Sequence, residues 1–156
     1  MKENYETKPN RKKGDLVVLS ASRRTDMPQW YADDLIKQLE KYPPEQVHTI
    51  VLWTKFSRSI LREPLKSKLG QYKQIFINLT ITGLGGTPIE KNVPTYKDNL
   101  KALPELIEFI GSPKRIRLRI DPICMLEKDG KLITNSVIIK EIVKECSSMG
   151  ITDFVT

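Results

Sequence analysis

Two stretches of this chain sort polar from apolar residues by parity. In Gln74–Thr82, Ile75, Ile77, Leu79 and Ile81 alternate with Phe76, Asn78, Thr80 and Thr82. In Lys114–Asp121, Ile116, Leu118 and Ile120 alternate with Arg115, Arg117, Arg119 and Asp121. Successive strand side chains point to opposite faces, so each stretch reads as a strand with one aliphatic and one polar side. Three arginines on one face need carboxylates, ligand anions or water as partners. The polar side therefore faces solvent or a wet hollow.

Strand-like runs recur at Leu16–Ala21, Val47–Trp53, Gln74–Ile81, Arg115–Ile120 and Thr152–Val155. Helical spacing fills the intervals at Pro28–Tyr42, Ser57–Leu69, Thr95–Ile110 and Ser136–Met149. Pro64 interrupts the second. Thr95-x-x-Asp98 opens the third as a variant capping box, and Pro104 should kink or split it. Gly150 is placed to cap the fourth. This alternation predicts βαβ units and a parallel sheet. A doubly wound sheet would need apolar residues on both faces. The expected fold is α/β, a partial TIM-barrel-like (βα) barrel of about four and a half units, where a full barrel takes roughly 250 residues. A sheet with one solvated face is the alternative.

The domain expected is 15–156, an incomplete barrel, preceded by a flexible basic tail at 1–14 that holds Lys8, Arg11, Lys12 and Lys13. A truncated product, a split gene, an inactive remnant, or a protomer completing its sheet with a second chain would each explain the half-barrel length. No apolar run approaches the roughly 20 residues of a membrane span. Met1–Gly14 also lacks the apolar core of a secretory signal. Both point to a cytoplasmic protein with no membrane partner.

Candidate chemistry gathers after the strands, where the loops of parallel α/β folds converge on ligands. After the first come Ser22, Arg23, Arg24, Thr25 and Asp26, and Pro28 then opens a helix. The arginines suit a bidentate grip on carboxylate or phosphate, and one of them could pair with Asp121. Asp26 or Thr25 could equally cap the helix. Trp53 and Lys55 end the second strand: the one could stack on a ligand or pack in the core, the other could be a site cation or a surface lysine. Thr80 and Thr82 end the third strand before a glycine-containing loop that matches no phosphate-binding fingerprint. Arg117, Arg119 and Asp121 end the fourth. An anionic small molecule is the expected ligand. Net charge +7 and the strand arginines motivate a second reading, a basic module for nucleic acid or a phosphorylated ligand. One histidine, His48, precludes a catalytic triad at the strand ends, since it starts a strand.

Ser22-Arg23-Arg24-Thr25-Asp26-Met27-Pro28, Leu52-Trp53-Thr54-Lys55, Thr82-Gly83-Leu84-Gly85, Asn92-Val93-Pro94 and Arg119-Ile120-Asp121-Pro122-Ile123 follow in that order. Together they resemble domain of unknown function family 1848, from about Leu16 to the C-terminus. The resemblance implies a (βα) barrel. For full-length relatives it implies radical S-adenosylmethionine chemistry with a 4Fe-4S cluster on cysteines near the C-terminus, and a relation to DNA-repair lyases. This chain departs from the pattern at Phe56-Ser57, where relatives tend to have Asn-Pro, and it stops before the cluster region. Its two cysteines, Cys124 and Cys146, fall short of the three or four thiolates a cluster needs. No metal and no cofactor are expected from this chain alone.

Overall fold

The computed structural model describes residues 15–22, 24–128 and 130–156; the N-terminal tail and Arg23 lie outside them. Five strands form one sheet: β1 (Val17–Ala21), β2 (Val47–Thr54), β3 (Ile75–Thr80), β4 (Ile116–Arg119) and β7 (Asp153–Val155). They lie side by side in chain order, β1-β2-β3-β4-β7, and every pairing is parallel. The sheet is open, with β1 and β7 as its edges.

The parity of the strands decides which side is covered. Ile50 and Leu52 of β2, Ile77 and Leu79 of β3, and Ile116 and Leu118 of β4 are buried. They share a single core with Leu35 and Leu39 of α2 (Ala32–Leu39), Leu65 and Leu69 of α3 (Leu65–Leu69), Leu103 and Leu106 of α4 (Tyr96–Ile110), and Ile142 and Cys146 of α5 (Ser136–Ser148). The other face carries rows set by register. Trp53, Asn78, Arg117 and Asp153 stand abreast, and above them Thr80, Arg119 and Val155. On this face Val18 is 61% exposed. The aliphatic side of the expected alternation is thus the helix-covered one, and the charged side is open.

Several local expectations need correction. Pro28–Tyr42 is two helices, α1 (Met27–Trp30) and α2, separated at Tyr31 (φ −141°, ψ 43°). The break lets Trp30 meet Phe56 edge to face, centroids 5.6 Å apart, while Leu35 and Leu39 still reach the core. Ser57–Leu69 is a 3-10 turn (Ser57–Leu61) and then α3, with Pro64 between them. Pro104 does not split α4, which runs unbroken through it with the proline on its exposed side. Thr95 caps α4 as expected, its Oγ1 accepting from Asp98 N at 3.2 Å. An element absent from the expectation is the antiparallel hairpin of β5 (Met125–Lys128) and β6 (Lys131–Thr134). Its turn contains Gly130 at φ +70°, a left-handed conformation that glycine adopts without penalty.

Candidate functional site

At the carboxyl ends of β1 to β4 the loops enclose a cleft of about 580 Å³. Its walls include Ser22, Arg24 and Asp26 after β1, Trp53 and Lys55 on and after β2, Thr80 on β3, and Arg119 and Asp121 on and after β4. With Thr25, which also borders the cleft, these are nine of the twelve residues named from the sequence. Arg23 lies outside the described residues, and two others are placed elsewhere. Thr82 is buried behind the cleft wall. Arg117 sits one pleat lower, where its Nε donates to Asp153 Oδ2 at 2.8 Å and its guanidinium lies over Phe76.

Asp26 is the hub of the first corner. It caps α1 by accepting from Gln29 N at 3.3 Å. It also accepts from Thr54 Oγ1 at 2.9 Å and from Lys55 N at 2.8 Å. One carboxylate thus fastens the end of β1 to the end of β2, and its role as a helix cap and its place at the site coexist. Burial raises its pKa from the ordinary value of 3.8, against the pull of those donors. Ser22, at φ +75°, turns its hydroxyl back to accept from Met27 N at 3.3 Å.

Across the cleft, Arg119 is held in the plane of Asp121. Its Nε donates to Oδ1 at 3.1 Å and its Nη2 to Oδ2 at 2.8 Å. This fork-to-fork pair holds the Asp121 carboxyl below the usual carboxylate range. Among the described residues, the partner of Asp121 is thus Arg119. The guanidinium carbon of Arg119 stands 5.1 Å from the centre of the Trp53 ring, near enough for cation–π attraction. Trp53 belongs to the cleft rather than to the helix-covered core. Lys55 reaches the Glu90 carboxylate, which also accepts from Thr82 Oγ1 at 2.5 Å.

Sequence reasoning overlooked five contributors. Glu90 sits in the loop between β3 and α4 and had no motif to mark it. Trp30 and Phe56 add aromatic surface to the cleft. Asn99 and Asn135, both buried, staple the loops: Asn99 Nδ2 donates to Lys55 O at 3.0 Å, and Asn135 Nδ2 donates to Thr82 O at 2.7 Å and to Pro122 O at 2.8 Å. Polar residues at helix starts read as caps; only three-dimensional contact reveals that these two amides bind distant carbonyls.

Residues 18–155 match the family model described as Domain of unknown function (DUF1848). The chain belongs to the DUF1848 family. Neither the curated proteins nor the solved structures yielded a match. Within this DUF1848 chain the residues do not fit an iron–sulfur cluster. Cys146 is buried in α5, where desolvation pushes its thiol up to about 12, the opposite of what a thiolate ligand needs. Cys124 lies apart from it, before β5. Among the described residues no group of three His, Cys, Asp or Glu could hold a metal ion. No described helix is long and apolar enough to cross a membrane.

Proposed function

We propose that this chain is one half of a TIM-like (βα) barrel whose strand-end cleft binds an anionic small molecule. The barrel reading is supported by strands in chain order, all parallel, with helices on one face and polar side chains on the other. A sheet wound in that single direction curves toward closure as strands are added. A second chain, or a further segment supplying the remaining strands, would cover the open face and both edges.

The observation that carries the ligand reading is convergence. Arg24, Lys55 and Arg119 come from three different strand ends and border one cleft beside Trp53. A carboxylate or phosphate there would meet guanidinium and ammonium donors, with an indole face for the rest of the molecule. A small ligand fits better than a nucleic acid, because two of those three cations already face carboxylates within the chain. A long polyanion calls for a run of free charges. If full-length relatives carry out radical chemistry, their cluster thiolates come from elsewhere, and no step of it is assigned to these residues.

Tryptophan fluorescence tests the reading directly, since Trp53 and Trp30 both line the cleft. Inorganic phosphate or malonate should change the emission saturably. Arg119→Gln should weaken the binding about tenfold, the scale of one lost charge-assisted hydrogen bond. An emission unchanged at millimolar anion, or unaffected by Arg119→Gln, would overturn the proposal.

A further inference from the structure

The two internal ion pairs of the cleft are built differently. Asp121 stands two residues from Arg119 on the same chain segment and grips it with both oxygens, so it is part of the wall. The counter-ion of Lys55 comes from a loop 35 residues further along. That loop keeps its shape without the Glu90 side chain. Gly86 N and Val93 N donate to Glu90 O at 3.1 and 3.0 Å, and Glu90 N donates to Thr87 O at 3.2 Å. Gly85 presses so close to Pro94 that a Cβ would stand 1.9 Å from its carbonyl oxygen. The Glu90 carboxylate, 13% exposed, has Lys55 and Thr82 as its partners among the described residues. Its charge therefore does one thing in this structure: it neutralises a cation at the cleft.

Resting on the anion-binding reading above, we propose that Glu90 is a built-in stand-in for the ligand's anionic group, displaced from Lys55 when that ligand binds. A second anion drawn to Lys55 meets the repulsion of the Glu90 carboxylate in a half-buried setting where screening is weak. Binding thus requires Glu90 to swing off Lys55, and the loop that lays Asn92 and Val93 against the cleft loses its tie to β2. Affinity is restrained by the chain's own carboxylate, and selectivity favours ligands whose charge outcompetes it.

Calorimetric titration with inorganic phosphate decides the matter by sign. Glu90→Gln keeps an oxygen for Thr82 and removes the charge, so phosphate should bind about threefold to tenfold tighter. The gain should vanish in Glu90→Gln combined with Lys55→Gln. Thr82→Val leaves the carboxylate but removes the hydroxyl that holds it, and should tighten binding in the same direction by less. If Glu90→Gln fails to fold, Thr82→Val decides on that sign. Phosphate bound by the wild type but no tighter by either folded variant would overturn this inference alone. Phosphate bound by no variant would overturn the anion-binding reading, and this one with it.

Discussion

Asp26 shows how one side chain can be legible in part. Its place before Pro28 announced a helix cap, and it is one, but the same carboxylate also takes donors from Thr54 and Lys55 across a strand gap of 28 and 29 residues. The pKa direction follows from burial. A carboxyl whose folded pKa lies above its unfolded value binds more protons in the folded chain. Stability then falls as pH rises from 3.8 through the raised value, and stays lower above it. Asp26→Asn removes this component. It also turns an amide N–H toward a backbone N–H, at a cost of about 1–2 kcal/mol. Urea titrations of both proteins from about pH 3 to about pH 6 should give a wild-type advantage that shrinks as pH rises. A constant difference would refute the account. Arg117 and Arg119 had looked equivalent in sequence. Register separates them, because Asp153 stands directly beside Arg117 on β7 while Arg119, one pleat higher, meets Asp121 and Trp53.

Elements followed the pattern where the pattern was long. All five sheet strands lie within a residue or two of their expected spans, and α4 and α5 occupy theirs. Breaks were harder to see. The interruption at Tyr31 reflects a contact between Trp30 and Phe56, residues 26 apart in sequence, which no local window contains. The β5–β6 hairpin did leave a signal, Asp129-Gly130 between two short runs, a pair favoured in two-residue turns. Four-residue strands offer too little alternation to read on their own. The loop between β3 and α4 matched no binding fingerprint; Gly83 and Gly86 serve its positive φ of +76°, and Gly85 allows a close approach to the Pro94 backbone. Gly85→Ala would drive a methyl group into the Pro94 carbonyl. We expect it to cost at least about 2 kcal/mol by chemical denaturation, with the bridge between Gly85 and Glu90 lost from the amide exchange pattern. An unchanged stability would mean the loop relaxes freely.

For the molecule as a whole, the consequence of an open sheet is that its two faces differ in energetic weight. Leu52 is 0% exposed at the centre of the core, whereas Val18 points to the open face of the same sheet. Leu52→Ala should cost about 2–5 kcal/mol, and Val18→Ala no more than about 0.5 kcal/mol, both measured as shifts in urea midpoint. Comparable losses would mean that the open face is covered in solution, for example by a second chain.

Periodicity of two and of nearly four residues is written into neighbouring positions, so strands, helices, the covered face and the crowding of charge after β1, β2 and β4 could all be read from the chain. Partnership is not local. Whether a cation meets an internal carboxylate or an open cleft depends on strand register and on which loop folds over which strand end. That is why Glu90, Asn99 and Asn135 emerged only when distant segments were brought within hydrogen-bonding distance.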